Sequence, residues 1–407
     1  MTDLLDLDST LARMLAALTP LPTVEETLET AAGCYLAESV RAAQTVPPFD
    51  NSAMDGYAVA AEDPELLRSG SLRIAQRIYA GAGPGPALRP GTCARIFTGA
   101  PLPAGADAVI AQEETSVTAD DRVTFHTRPE RGACVRSAGG DVKVGEIIAQ
   151  AGDALHPGRL ALLIAAGHQR IRVHQRPKVV VLTTGDELRA PGSPLEPGQI
   201  HDSNGPMLAA LAQQAGATVV RRQRVGDEPE ALRHALTAAA KDGDAVICSG
   251  GVSVGDADHV RDILAEEGEI TFWRLALKPG KPFAFGTLAA RPFFGLPGNP
   301  VSALVTFLLL VRPGILRLSG AKDTTTTRLP AVLLGPVNKR PGRRDFQRGR
   351  FRIGADGRLC VEACTRQDSN ILSTLTEGNC LIDLPKDSGN LDAGSQVDIV
   401  PLFEANG

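Results

Sequence analysis

The sequence has no surplus of positive charge. Its 42 Lys and Arg stand against 47 Asp and Glu, giving a net charge of −5 and a pI ≈ 5.9. That balance argues against a general nucleic-acid binder while leaving room for a local basic pocket. There is no apolar run of the ~20 residues that a membrane-spanning helix needs. The most apolar stretch, Val301 to Val311, is shorter and is bounded by Pro300 and Pro313. Asp3, Asp6 and Asp8 stand where a signal peptide would carry positive charge. Seven cysteines, an odd number without a C-x-x-C pair, favour neither a disulfide framework nor a zinc site and point to a reducing compartment. No Walker loop is present, no G-x-G-x-x-G follows a strand, and no histidine sits beside a Gly-x-Ser-x-Gly turn. Nucleotide hydrolysis, dinucleotide binding and serine hydrolysis therefore lack support. What remains is a cytoplasmic protein, away from membranes and nucleic acid, with a small-molecule partner. At 407 residues the chain exceeds one ordinary core, so about two to four domains are expected.

What is there is organised around Lys178 to Leu188. A continuous β-branched run followed by Thr183, Thr184 and Gly185 predicts a strand buried on both faces, ending in a glycine turn where a ligand can approach the backbone. Asp186 and Glu187 follow at its carboxyl end, the edge where open parallel α/β sheets bind ligands. Two further apolar runs stop in the same way, at Ser249-Gly-Gly251 and at Leu296-Pro-Gly-Asn-Pro300. Three such strand ends predict a pocket.

Along the chain, Ser9 to Leu18 predicts a short amphipathic helix with Ser9 as its cap, and a second helix is expected from Thr23 towards Tyr35. From Val46 to about Gly140, short strand-like runs among Gly and Pro predict a small all-β module. Its entrance holds Asn51, Ser52 and Asp55, which fit either a ligand site or the satisfaction of loop backbone groups. A helix at Arg159–Ala166 and a strand at Arg170–His174 come next. Lys178 to about Gly320 then alternates strands with helices, predicting a mainly parallel sheet covered on both faces. Within it Ser203 or Asn204 caps a helix through Gln214, Asp227 starts another, and Asp258 with His259 opens a third. The run Thr324–Thr327 predicts a linker, and the alternating segments from Leu329 onward predict a small β-barrel or sandwich.

Residues able to carry chemistry fall into two sets. Asp55, Asp141, Asp186, Glu187, Asp227 and Asp258 are acidic and stand at loops or helix starts; Arg274, Lys278, Lys281, Arg343, Arg344 and Arg348 are basic. The mixture suits a phosphorylated ligand with a hard divalent cation, because carboxylates hold Mg²⁺ while Lys and Arg meet phosphate oxygens. Asp227 and Asp258 equally fit ordinary helix caps, and Lys278 with Lys281 a solvated hairpin end.

Ordered motifs spread over nearly the whole chain carry a family resemblance. They are Phe49-Asp-Asn-Ser-Ala-Met-Asp-Gly-Tyr57, Thr98-Gly-Ala-Pro-Leu-Pro103, Thr183-Thr-Gly-Asp-Glu187, Asp202-Ser-Asn204, Ser249-Gly-Gly-Val-Ser-Val-Gly255, Lys278-Pro-Gly-Lys-Pro-Phe283 and Gly295-Leu-Pro-Gly-Asn-Pro300. Together they resemble the molybdopterin molybdenumtransferases, the MoeA family that includes the E domain of gephyrin. The resemblance implies an α/β multidomain fold. Residues 1–20 would be an N-terminal helix packing on the α/β domain, and 21–46 with 141–176 a discontinuous extended domain. An inserted β domain would span 47–140, a three-layer α/β molybdopterin-binding domain 177–323, and a C-terminal β-barrel 328–407.

The implied activity is insertion of molybdate into adenylylated molybdopterin with release of AMP, dependent on Mg²⁺. The resemblance also implies a homodimer with a site shared across subunits, and hand-over from a molybdopterin adenylyltransferase and to molybdoenzymes. Asp55, Asp141, Glu187, Asp227, Asp258 and Lys278 would be catalytic, with Glu187, Asp227 and Asp258 on the metal. Thr98, Thr184, Gly185, Asp186, Ser249, Gly250, Gly251, Arg274, Lys281, Pro297, Gly298, Asn299, Arg348 and Ser369 would contact the pterin compound. The chain departs from the family pattern at Arg274, where Lys is common, at His259, where Tyr is common, and at Gly140, where Glu is common before Asp141. Two alternatives are an enzyme like the adenylyltransferase, expected to consist of the α/β domain alone, and a gephyrin-like scaffold for protein tails.

Overall fold

The computed structural model describes residues 4–118, 120–251, 260, 263 and 266–402. The sheet of its α/β domain has six strands in the spatial order Thr218–Val225, Lys178–Thr184, Ala245–Ser249, Arg291–Leu296, Pro282–Leu288 and Gly268–Arg274. The first four run parallel; Pro282–Leu288 pairs antiparallel with both neighbours, so Gly268–Arg274 runs in the same direction as the first four. The β-branched run builds its centre because alternate residues serve opposite faces. Val179 and Val181 join the core beneath the helices Asn204–Gln214 and Pro300–Thr306, whereas Val180 and Leu182 join the one beneath Pro229–Asp242. A strand buried on both faces needs this unbroken apolar pattern. Register aligns the carboxyl ends, with Thr184 opposite Val225, Thr183 opposite Ser249, and Ser249 opposite Leu296.

The apolar stretch at Val301 does not stop at Pro313. The helix passes through a π-helical segment, Phe307–Val311, into Arg312–Leu318. Such a segment absorbs the missing donor of a proline. The resulting 19-residue helix is long and apolar enough to cross a membrane, but 89% of its most apolar window is buried inside the protein, as a core helix is.

At the N-terminus the helix Leu7–Ala16 lays Leu7 and Met14 into the core that also holds Phe294. Its cap is Asp6 rather than Ser9. The Asp6 carboxylate accepts from the backbone N–H of Asp8 and Ser9. The second expected helix is absent, because Thr23–Thr27 is a strand paired antiparallel with Arg170–His174. Glu25 and Glu26 promised a helix start, but β-branched Thr23, Val24 and Thr27 suit a pleated strand once a partner is supplied. The helix near residue 159 runs Pro157–Ala165.

The inserted module is a six-stranded sheet ordered Ala108–Ala111, Gly56–Val59, Thr92–Ile96, Ser71–Ile78, Arg122–Phe125 and Thr115–Val117. It also carries an unanticipated short helix, Pro64–Ser69, capped by Asp63. At the C-terminus, Arg344–Ile353 pairs with both Leu359–Ala363 and Cys380–Leu384, and Leu329–Leu333 with Gln396–Pro401 completes a closed five-stranded barrel. The short strand Leu277–Lys278 adds to Arg344–Asp345 and joins the barrel to the α/β domain. None of the seven cysteines forms a disulfide.

Candidate active site

Four neighbouring strands deliver small or acidic residues to one edge of the α/β sheet. After Val225 come Gly226 and Asp227; after Thr184 come Gly185, Asp186 and Glu187; after Ser249 come Gly250 and Gly251; after Leu296 come Pro297, Gly298 and Asn299. The glycines have structural reasons. Gly185 has φ +147°, and a Cβ there would collide with the Glu187 carboxylate that folds back over it. A Cβ on Gly250, at φ +96°, would come within 2.6 Å of both the Thr184 carbonyl oxygen and its Oγ1.

Hydrogen bonds hold the turns in place. Asp186 donates its backbone N–H to Asp227 Oδ2 at 3.2 Å, and Asp227 donates its own to Asp186 Oδ1 at 2.9 Å. Asp227 therefore does not cap the next helix; Glu228 does, accepting from Glu230 and Ala231 N–H. Buried Asn204 gives its amide hydrogens to Ser249 Oγ at 2.9 Å and Gly298 O at 2.7 Å, and Ser249 Oγ donates to Pro297 O at 3.0 Å. Thr183 Oγ1 donates to Asp202 Oδ2, whose other oxygen accepts the Gly205 N–H. Asp202 and Asn204 thus tie three strand ends together. Asn204, expected from its position as a helix cap and from the Asp202-Ser-Asn204 motif as part of the family pattern, is thus a cross-strand tie. Thr184 Oγ1 and Asn204 Oδ1 are buried without a hydrogen-bond partner among the described residues. Buried polar atoms usually find partners, so two orphans at one sheet edge mark it as built for something polar.

The basic residues reach the same edge from the other side. Arg274 pairs with Pro282 and Ala284 with Gly295, so Arg274, Lys281 and the connecting Lys278 emerge beside the carboxyl end of Arg291–Leu296. Along the edge, carboxylates stand at one side, glycines in the middle and cations at the other, a span of about 24 Å at the usual strand spacing. Lys278 is aimed by Asp345, a nearly buried carboxylate 3.1 Å from its Nζ. The barrel adds Ser369, whose Oγ meets Asn299 Nδ2 at 3.1 Å. Sequence reasoning missed Asp345, which gives no signal without the barrel's register.

Other expected residues lie elsewhere. Asp55 and Thr98 face each other in the inserted module, where Asp55 Oδ1 accepts the Thr98 N–H and Oγ1–H at 2.8 Å each. Those bonds, with Arg95 nearby, hold the Asp55 carboxyl below its usual range. Asn51 and Ser52 satisfy loop backbone, at Phe49 O and Met54 O. Asp141 is exposed where the module exits, its N–H bonded to Val46 O. Asp258 and His259 lie outside the described residues. Arg348, which the resemblance puts at the ligand, lies inside the barrel domain. It is 1% exposed and spends its guanidinium on Thr374 Oγ1 and the Asp368 carbonyl. Burial pulls its pKa below the usual arginine value. Its place is to hold the loop that carries Ser369.

Among the described residues no group of three or more His, Cys, Asp and Glu comes together as a metal cluster. The donor set of Asp186, Glu187 and Asp227 is nevertheless all hard oxygen, which suits Mg²⁺. One oxygen of each Asp is committed to the paired backbone bonds, and neither the Glu187 carboxylate nor the remaining Asp oxygens carry a hydrogen bond among the described residues.

Comparison with known proteins gives this architecture a family. The chain matches the MoeA N-terminal region (domain I and II) over residues 5–167, a probable molybdopterin binding domain over 180–317, and the MoeA C-terminal region (domain IV) over 330–402. It is 40% identical over 402 residues to a molybdopterin molybdenumtransferase of Haemophilus influenzae, covering 98% of this chain and 99% of that one. The chain belongs to the molybdopterin molybdenumtransferase family. That membership places it among the transferases of molybdenum cofactor biosynthesis. A Mycobacterium tuberculosis protein, molybdopterin molybdenumtransferase 2, is 37% identical over 92% of this chain and 94% of its own length. A crystal structure of a molybdopterin biosynthesis MoeA protein from Pyrococcus horikoshii superimposes with a TM-score of 0.82 at 27% identity, covering 98% of this chain and all of the other. The matched N- and C-terminal regions separate the chain from an enzyme consisting of the α/β domain alone.

Proposed function

We propose that this chain transfers molybdenum from molybdate to molybdopterin, that the acceptor is adenylylated molybdopterin, and that AMP leaves as the metal enters. The observation that carries this reading is the graded sheet edge, with Asp186, Glu187 and Asp227 at one side, Gly250, Gly251 and Gly298 in the middle, and Arg274, Lys278 and Lys281 at the other. Both substrates are anionic, so bringing them together requires fixed cations, and Lys278 is already oriented by Asp345. The glycines let phosphate or pterin approach the backbone N–H groups. Glu187, Asp227 and, from sequence, Asp258 would hold Mg²⁺, which would polarise the phosphoanhydride. Among the described residues no side chain here is placed as a covalent nucleophile; the protein binds, orients and neutralises.

A second part of the proposal is assembly. The chain would act in the cytoplasm as a two-fold homodimer, with Asp55 of one subunit completing the Glu187 site of the other. What supports it is that Asp55 bonds within the inserted module while Glu187 belongs to the α/β domain. Hand-over partners would be the adenylyltransferase that supplies the substrate and the molybdoenzymes that take the product.

The test is AMP release by the purified protein given adenylylated molybdopterin, Mg²⁺ and molybdate. Release should depend on molybdate, and Glu187→Ala should abolish it with the Tm within a few degrees of wild type, because an exposed loop carboxylate adds little to stability. AMP release indifferent to molybdate, or to the loss of Glu187, would overturn the reading.

A further inference from the structure

The inserted module carries a feature that the sheet-edge site does not use. Tyr57 and Arg95 are cross-strand partners, and Arg77 and Ile78 pair with Arg95 and Ile96 on the next strand. Side chains alternate along a strand, so Arg95 and Phe97 share a face, with Tyr57 beside the first and Tyr79 beside the second. The side chains form a continuous stack. The Arg95 guanidinium lies 5.1 Å from the Tyr57 ring centroid and 4.7 Å from that of Phe97. The Phe97 and Tyr79 rings lie 4.6 Å apart at an interplanar angle of 10°. Arg95 is fixed by Nη1 donating to Gly56 O at 3.0 Å and Nη2 to Gln112 Oε1 at 2.6 Å. Tyr57 closes one end of the stack at 5% exposure, and Tyr79 leaves the other open at 54%.

We propose that the open face of Tyr79 is a stacking platform for a planar heteroaromatic ring bearing phosphate, the pterin or the adenine of the compound bound by this enzyme. The inference rests on the proposed function above. Four observations carry it. The chain has only three tyrosines, and a half-exposed one whose ring is held flat by a neighbour presents a preformed π surface, which costs little ordering on binding. Its companions on that face, Arg95 and the exposed Arg77, are cations, so the face suits an anionic ligand. Phe97 precedes Thr98 and Tyr57 follows Asp55 by two residues, so the platform shares its end of the module with the Asp55–Thr98 pair. Finally, the turn that begins at Tyr79 closes with an Ala82 N–H bond to Tyr79 O, and Ala82, Gly83 and Pro84 line a cavity of about 570 Å³ with Phe49, Pro101 and Leu102. A ring on Tyr79 thus lies beside space for the rest of a larger molecule. Stacking on an aromatic side chain tolerates any flat heterocycle, and phosphate contacts add the preference for an anion.

The test uses the full-length protein and two probes in calorimetric titrations, AMP and molybdopterin. Tyr79→Ala should weaken one of them by about 5- to 100-fold, the span of one stacked ring, and Tyr79→Phe should stay within about twofold. Tyr79→Leu keeps apolar area without a flat face and should behave as the alanine variant does. Loss of AMP affinity places adenine on the platform; loss of molybdopterin affinity places the pterin there. Wild-type affinity of Tyr79→Ala for both probes, or no binding of either by wild type, overturns the proposal. Molybdate-dependent AMP release in the same preparations separates the two readings. If wild type releases AMP and Tyr79→Ala does so with an unchanged KM, the platform is wrong and the proposed function stands. If wild type releases none, the proposed function falls.

Discussion

Asp186 and Asp227 each donate a backbone N–H to the other's carboxylate, at 3.2 and 2.9 Å, across the ends of two parallel strands. The exchange locks two turns into one unit. It leaves one oxygen of each carboxylate, Asp186 Oδ2 and Asp227 Oδ1, without a hydrogen bond among the described residues.

Substitutions at Asp227 separate its two parts. Asp227→Asn keeps an oxygen to accept the Asp186 N–H but removes the charge, so the Tm should stay within about 2 °C while molybdate-dependent AMP release falls at least about 100-fold. Asp227→Ala removes the bond as well and should cost about 1 kcal/mol of stability in addition. Full activity in the asparagine variant would show that the carboxylate serves only the turn.

Arg348 makes the opposite prediction. Because its guanidinium is buried on Thr374 and the Asp368 carbonyl, Arg348→Ala leaves buried acceptors unsatisfied and should destabilise the protein by about 2–4 kcal/mol. Ligand affinity at a temperature where the variant is folded should fall only through disorder of the Ser369 loop. A variant with wild-type thermal unfolding and a lost, salt-sensitive affinity would restore the ligand contact that the sequence implied.

These two residues also show what the sequence held. The strand ends were legible because a strand buried on both faces must be apolar throughout and must stop at residues that release the chain, as Thr184-Gly185 and Ser249-Gly250 do. The strand Thr23–Thr27 was not, because its pairing partner Arg170–His174 lies far along the chain and its glutamates fit a helix start equally well. Nor could the sequence say which arginines stay in water. Arg274 and Arg348 carry the same charge, yet register puts one at the sheet edge and the other inside a barrel whose closure depends on strands brought together only by the fold.

Acid should weaken the joint around Asp153. Its carboxylate lies 2.5 Å from Lys322 Nζ and 3.3 Å from Arg159 Nη2, and accepts the Gln150 N–H. Burial alone would raise its pKa, but the Lys322 and Gln150 hydrogen bonds and the Arg159 charge outweigh burial and hold it below the usual carboxylate range. A depressed folded-state pKa stabilises the protein above the unfolded-state value of about 4, and that stabilisation fades as pH falls through the folded-state value. Asp153→Asn should therefore lower the Tm at pH 7, and the gap from wild type should close as the pH is taken below about 4. A gap of equal size at pH 7 and pH 3, where both proteins remain folded, would show that charge is not what the site contributes.

The proposed sharing of the site between subunits predicts a rescue. In a two-fold dimer with sites built across the interface, each site takes Asp55 from one chain and Glu187 from the other. Asp55→Ala and Glu187→Ala should each be inactive as homodimers. Unfolded together and refolded, about half of the dimers are hybrids, and each hybrid has one site with both defects and one with neither. Activity should return to roughly a quarter of wild type from that counting. A site built within one chain gives no rescue, since every copy carries one defect. Differently tagged chains that co-purify as hybrids while AMP release stays at the level of the single variants would put Asp55 and Glu187 of the same chain in the same site, or remove Asp55 from the reaction.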